Sequence, residues 1–407
     1  MSTSQQYKDV IIVGGSLAGL MHALTLLSLP SPPKVLILER SPTALLHNQG
    51  AGVVAGNETQ AFFNEYVRPG REIAITSTQR QYLKHTGDVI AESVDKRQQR
   101  MTSWDLLYHL LRWRVEGLDS PYVKGLESDD RPRATYENGC TVIDIQDTPD
   151  GVKVTWTHKD KGEQTATANL LIGADGGSST VRRLLKPDVQ RKYVGYVGWR
   201  GTVPETELSS SARETFTEKF TFYHTQGIQI LGYLIPGHEG TTEPGSRLFN
   251  WVWYNNYKEG SPELEELMTD IHGKRHAITL PVDTIKPAVW EKQKIYAAKI
   301  LPPQFAEAVS KTAHPFVQAI TDNVSDQNKF LGGKVLLVGD ALAGFRPHTA
   351  ASTSHAAHDA LEMGRWLKGE TGREEYDASV LEFAKRVQRS GMEMGERSQY
   401  GKHPFAG

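Results

Sequence analysis

The sequence predicts an α/β protein in which a Rossmann-like nucleotide-binding domain carries an inserted antiparallel-sheet module. Three observations carry that prediction. The run Asp9 to Gly15 (DVIIVGG) is apolar and ends on glycine, a helical pattern follows to Leu29, and KVLILER (Lys34 to Arg40) is a second apolar run, which together read as a βαβ unit. From about Gln190 to Ile295 the texture changes to alternating aromatic stretches, YVGYVGWRGTV, EKFTFYH, IQILGYLIP and LFNWVWYNNY, which suit an antiparallel sheet. Strand character then returns at KVLLVGD (Lys334 to Asp340), followed by a loop and a helical pattern from about Thr353 to Leu367.

The nucleotide domain is therefore expected to be discontinuous, over residues 1–75, 98–188 and 290–370, with the sheet module at 76–97 and 189–289. Residues 371–407 form a C-terminal helical segment; its stretch Glu374 to Arg397 is charged on one face and is expected to cover the nucleotide domain or a partner subunit. A chain of 407 residues is long enough for this arrangement.

Charge and cysteine content exclude several function classes. The formal net charge is -2 and no long run of one sign occurs, so neither nucleic acid nor an anionic membrane is expected as a partner. The one cysteine, Cys140, reads as a small buried hydrophobe. The polar stretch Met1 to Asp9 has no basic-then-apolar signal pattern, and no apolar run approaches the roughly 20 residues of a membrane span, so a cytoplasmic location is expected. His355 and His358 share a predicted helix but have no evident third ligand, so no metal site is expected.

Gly14, Gly15, Ser16, Leu17 and Gly19 fall between the first strand and its helix, where a tight turn aims backbone N–H groups at a ligand phosphate. Ser16 replaces the middle glycine of the usual pattern, so the loop alone is degenerate. Glu39 ends the second strand, where a carboxylate can accept both hydroxyls of an adenosine ribose, and Arg40 follows it. The competing reading of Glu39 is a surface charge at a strand end. Loop, spacing and flanking strands together favour a bound nucleotide.

Two more motifs extend this. LLIGADGGSSTVRRLL (Leu170 to Leu185) and KVLLVGDALAGFRPHTAAST (Lys334 to Thr353) each end a strand on an aspartate, Asp175 and Asp340. With the glycine loop and Glu39, and in this order, they resemble the class A, single-component, FAD-dependent aromatic hydroxylases, whose prototype acts on 4-hydroxybenzoate. VGGSLAGL at Val13, GAGVV at Gly50, TSWDLLY at Thr102, VGWRG at Val197, ELMTDIHG at Glu266 and FRPHTAAS at Phe345 are most similar to a pyridine-ring branch of that family.

The resemblance implies a glutathione-reductase-type FAD domain in a homodimer. It also implies NAD(P)H as reductant and transfer of oxygen from O2 to a small aromatic or pyridine-type ring through a flavin C4a-hydroperoxide. It assigns FAD contacts to Gly14, Ser16, Leu17, Glu39, Arg40, Val53, Ser103, Asp175, Asp340, Pro347, Ala350, Ala351 and Ser352. Asp340 would hold a ribityl hydroxyl, and Pro347 to Thr353 would run beside the isoalloxazine ring, with a helix start that favours negative charge on reduced flavin. Two positions depart from the family. Ser352 stands where glycine is usual, and Ser103 where arginine or glutamine is usual, with Arg100 or Arg112 as possible substitutes for the latter.

The substrate pocket is expected in the aromatic sheet. Alternation along IQILGYLIP places Gln229 and Tyr233 on one face, and Trp199, Tyr223 and Trp253 join them as ring contacts, with Phe222, Asn250, Trp251 and Tyr254 nearby. His348, in the proline loop, is the first candidate for a proton-handling or substrate-orienting group, and His224 the second. Competing readings are a flavin oxidoreductase or epoxidase without ring hydroxylation, and a flavoprotein-derived binding module without turnover.

Overall fold

The computed structural model describes residues 9–46, 52–127, 129–401 and 403–405; Gly50 and Ala51 of the GAGVV stretch lie outside them. The βαβ unit forms as read: strands Asp9–Val13 and Lys34–Glu39 are parallel and joined by the helix Leu17–Leu27. They sit in a six-stranded sheet ordered Lys329–Phe330, Val335–Leu337, Leu170–Gly173, Asp9–Val13, Lys34–Glu39, Thr135–Asn138, parallel except at the Lys329–Phe330 edge. Its central strands are apolar and buried along nearly their whole length, because both faces of a parallel sheet are covered. The helices Leu17–Leu27, Trp104–Glu116 and Ser352–Leu367 pack into the same core. The chain between Thr135–Asn138 and Leu170–Gly173 folds as a three-stranded antiparallel sheet of Cys140–Thr148, Gly151–His158 and Gly162–Ala168.

An eight-stranded sheet forms the second layer. Its main path runs Thr279–Leu280, Phe316–Val324, Lys192–Pro204, Leu248–Asn256, Ile228–Ile235, Lys219–Thr225, Gln79–Tyr82, and Ala343–Gly344 pairs with Phe316–Val324 off that path. Pairing is antiparallel except between Lys219–Thr225 and Gln79–Tyr82. One boundary read from the sequence shifts. Helices Pro287–Ile300 and Pro303–Lys311 and strand Phe316–Val324 belong with this sheet, although residue 290 was placed at the start of the third nucleotide segment. FVQAITDNV alternates with aliphatic and polar residues, so it lacks the aromatic signature that marked the other strands.

The short pairing of Ala343–Gly344 with Asn323 and Val324 ties the proline loop to the eight-stranded sheet. The last helix, Arg373–Gln399, packs on Ser352–Leu367 at one end and reaches the sheet face at the other. It therefore covers both modules of its own chain. No described helix is long and apolar enough to cross a membrane.

The turn after the first strand depends on a missing side chain. Gly14 has φ +103°, and a Cβ there would sit 2.4 Å from the Ala174 carbonyl oxygen on the neighbouring strand-end loop. Both the backbone conformation and the close approach exclude other residues. Gly14→Ala is expected to destabilise the fold by about 1–3 kcal/mol, read as a lowered urea midpoint; an unchanged midpoint would show that this turn can relax.

Candidate active site

A cavity of about 550 Å³ runs from the glycine loop, past the two aspartate motifs, to the face of the eight-stranded sheet. That is the size of a typical ligand site. At its first end lie Gly14, Ser16, Leu17, Glu39 and Arg40. Ser16 precedes the helix Leu17–Leu27 without capping it through its side chain, so the first-turn N–H groups remain free to meet an anion. Glu39 accepts the N–H of Gly15 at 2.8 Å and of Ser41 at 2.7 Å, one on each carboxylate oxygen. Each oxygen keeps a lone pair, so the group that shapes the loop can also accept ribose hydroxyls.

The middle of the cavity is lined by Asp175, Gly176, Gly177, Arg191 and Asp340. Asp175 accepts the Ser179 hydroxyl and the N–H groups of Thr180 (2.6 Å) and Val181 (3.1 Å), so it anchors the start of helix Thr180–Leu185. Arg182, on that helix, donates to the carbonyls of Ala341 and Gly177, both at 2.6 Å, and clamps the two aspartate loops together. Asp340 accepts the Ser352 hydroxyl at 2.5 Å and faces the Arg191 charge, while desolvation pushes its carboxyl above the usual range. Buried Asp359 holds the Gly339 N–H at 2.8 Å and so orients this loop from behind.

Beyond Asp340, Pro347, His348, Ala350, Ala351, Ser352 and Thr353 form one wall. Ala350 adopts φ +52°, which turns the chain sharply into helix Ser352–Leu367, and Ala351 leaves that helix without a side-chain cap. A second free helix N-terminus thus faces the same cavity. Val53 lines the opposite side.

The far end is a chamber on the sheet face, lined by Arg200, Phe220, Leu231, Tyr233, Val252, Tyr254, Gln318 and Ile320. Arg200 makes no ion pair with a described carboxylate, and its Nε is buried without a hydrogen-bond partner. Its charge acts on Tyr233 and Tyr254, whose phenols burial nevertheless raises, to about 12 for Tyr254. His348 is held at both ring nitrogens, Nδ1 to Gln229 Oε1 at 2.7 Å and Nε2 to the Tyr196 hydroxyl at 2.9 Å.

Sheet parity sorts the expected ring contacts. Trp199, Trp253, Ile230 and Tyr223 form one cross-strand row and face the far core, where Trp199 and Trp253 pack on Trp290 and Tyr296 of helix Pro287–Ile300. Trp199, Tyr223 and Trp253 therefore do not reach the cavity. Gln229 and Tyr233 share the near face as expected; Tyr233 lines the chamber, while Gln229 stands behind His348. His224 is on the near face but outside the cavity, stacked at 3.8 Å on His403.

Ser103 also moves out of the site: it caps helix Trp104–Glu116 through Leu106 N–H, and the cavity is lined by Trp104 instead. Neither proposed substitute lines the cavity, because Arg112 pairs with Glu116 and Arg100 with Glu72. Arg191, beside the two aspartate motifs, does line it. Sequence reasoning missed Arg191, Arg200 and Tyr196. Arg200 was legible in principle, since it alternates with Trp199 in VGWRG and so must face the opposite side.

The comparisons agree with this geometry. A family model described as FAD binding domain-like matches residues 193–322. The chain is 32% identical over 359 residues to the 2,6-dihydroxypyridine 3-monooxygenase of Paenarthrobacter nicotinovorans, spanning 87% of this chain and 81% of that protein. It belongs to the class A FAD-dependent aromatic hydroxylases. The solved 2,6-dihydroxypyridine-3-hydroxylase from Arthrobacter nicotinovorans has a TM-score of 0.81 at 28% identity, covering 100% of this chain and 97% of that one. Klebsiella pneumoniae HpxO, solved with FAD and uric acid, shares the fold with a TM-score of 0.68 at 16% identity, covering 97% and 90%. FAD is accordingly the cofactor of this hydroxylase. The residues present fit it: two uncapped helix starts, a glycine turn that a Cβ would fill, and a desolvated Asp340 with lone pairs to spare.

Burial also sets a pH response. It lowers His22 to about 4 and His348 and His355 to about 3, with the Arg346 charge adding to His348. A depressed histidine contributes stability that is complete above its unfolded value of about 6.5 and is lost as pH falls toward the folded value. Buried Asp340 and Asp359, pushed upward, act in the opposite sense, so the comparison must isolate one group. His22→Gln is expected to lose less stability than the parent between pH 6.5 and 4 in urea titrations; equal slopes would show that His22 is not held neutral.

Proposed function

We propose that this chain is an NAD(P)H-dependent FAD monooxygenase that hydroxylates a small, negatively charged hydroxy-aromatic or hydroxypyridine ring. The observation that carries the substrate charge is Arg200, a guanidinium without a described carboxylate partner, set between two buried tyrosine hydroxyls in the chamber. Such a group favours the deprotonated form of a bound ring hydroxyl, which enriches the carbon that is attacked. Bound FAD, reduced by NAD(P)H, supplies the activation of O2. The protein's own residues bind, orient and exclude water.

In this reading Tyr233 and Tyr254 donate to ring oxygens, while Phe220, Leu231, Val252 and Ile320 keep the chamber dry. His348, neutral and held at both nitrogens, orients the ring from the loop side. Gly14, Ser16, Leu17, Glu39 and Arg40 hold the ADP half, Asp340 with Arg191 the ribityl chain, and Pro347 to Ser352 with Val53 the flavin ring. Asp175 is a positioning residue for the start of helix Thr180–Leu185. We assign the FAD module to residues 9–75, 98–188 and 325–370 and the sheet module to 76–97 and 189–324, in a cytoplasmic homodimer. The 32% identity to the Paenarthrobacter enzyme supports a pyridine-type substrate.

The test is NAD(P)H oxidation with hydroxypyridines and hydroxybenzoates under 18O2. Labelled ring product is expected, and product without label would rule out ring hydroxylation. Arg200→Gln should keep bound FAD and raise KM on the order of 10- to 100-fold, the scale of a lost charge-assisted hydrogen bond; an unchanged KM would remove the anionic-ring assignment.

A further inference from the structure

The last turn of helix Arg373–Gln399 packs against the back of the His348 loop. Its register there is fixed by several contacts. Glu396 pairs with Arg346 at 2.6 Å, the Gln399 carbonyl accepts Asn256 Nδ2 at 3.0 Å, and the Tyr400 hydroxyl donates to the Val194 carbonyl at 2.8 Å. Gly391 and Gly395 allow close approach: a Cβ at Gly395 would lie 2.7 Å from the Tyr196 hydroxyl and 3.2 Å from His348 Cδ2. Nothing but a glycine lets the helix press on the His348 loop at this point.

From that turn a directed hydrogen-bond chain runs inward. Gln399 Nε2 donates to Ser398 Oγ at 3.0 Å, so the Ser398 hydroxyl proton is free to go to Gln229 Oε1, 2.8 Å away. The same Gln229 oxygen lies 2.7 Å from His348 Nδ1. An amide oxygen accepts only, and it has two lone pairs, so its second partner must be an N–H. His348 therefore carries its proton on Nδ1, and its bare Nε2 accepts the Tyr196 hydroxyl at 2.9 Å. All five groups are buried.

We propose that Ser398 is a positioning residue of the ring chamber: through Gln229 it sets the tautomer and orientation of His348, so that the last helix specifies one wall of the site. The role in turnover rests on the function proposed above; the tautomer does not. A ring held at one nitrogen only could rotate or exchange its proton, and the chamber wall would present a mixture of edges to the substrate.

The experiment uses the full-length, FAD-loaded protein labelled with 15N-histidine. The free enzyme should show His348 as the Nδ1–H tautomer. Ser398→Ala should give a mixed or exchange-broadened His348 signal and raise KM for 2,6-dihydroxypyridine about fivefold, the scale of one lost neutral hydrogen bond, with kcat less affected and FAD retained. Ser398→Thr, which keeps the hydroxyl, should restore the parent signature. Gly395→Ala provides a second route, since its added methyl should shift the His348 resonances while Ser398 is intact. An Nε2–H tautomer in the parent, or Ser398→Ala with the parent His348 signal, overturns the proposal. So does loss of FAD binding in Ser398→Ala, which would mark a structural role. Absence of turnover in the parent would count against the proposed substrate class alone, because the NMR signature is read without substrate.

Discussion

Two helix N-termini left without side-chain caps, both opening into one cavity, are the constraint around which this molecule is arranged. The helices Leu17–Leu27 and Ser352–Leu367 are buried on most sides, and backbone N–H groups in such a setting need acceptors. At four other helices the chain supplies a side-chain acceptor itself: Ser103, Ser179, Ser209 and Ser261 each cap the helix that follows. At the two that open into the cavity, an anionic or polar ligand can supply the missing acceptors. The same two ends carry the positive side of their helix dipoles, so one is suited to pyrophosphate and the other to an electron-rich ring. Asp359 and Arg182 fix the loops between them, and neither touches the cavity.

The second organising element is the pleat of the eight-stranded sheet. One face packs on helices as ordinary core, and the other supplies the chamber, so residues adjacent in sequence have unrelated duties. Trp199 is core and Arg200 is chamber; Trp253 is core and Tyr254 is chamber. The nucleotide module and the sheet are then held in register by the strand Ala343–Gly344, which belongs to the loop of one and pairs with the other.

Much of this was legible from residue order. The βαβ unit, the antiparallel module and the return of the nucleotide domain follow from hydrophobic period and glycine placement, because those signals are local and strong. Tyr233, Asp340 and, of the Pro347 to Ser352 stretch, all but Thr349, singled out from the sequence, do line the cavity. What failed were assignments that depend on which way a strand faces. Aromatic density was read as a pocket signal, yet Trp199, Tyr223 and Trp253 are aromatic because they fill a deep core. His224 was legible as near-face but not as covered, since its cover comes from His403, about 180 residues along the chain. Ser398 left no local mark at all; its importance arises from a contact with Gln229 at a sequence separation of 169.

That separation bears on how the protein comes to be made. Synthesis runs from the N-terminus, and domains tend to fold as they emerge. The glycine loop, both aspartate motifs and every strand of the sheet face are available before the helix Arg373–Gln399 leaves the ribosome. A nascent chain can thus form its nucleotide cradle while His348 still lacks the wall behind it. The chamber becomes a defined shape only when the final helix docks, so the capacity to position a ring is acquired later than the capacity to hold the cofactor.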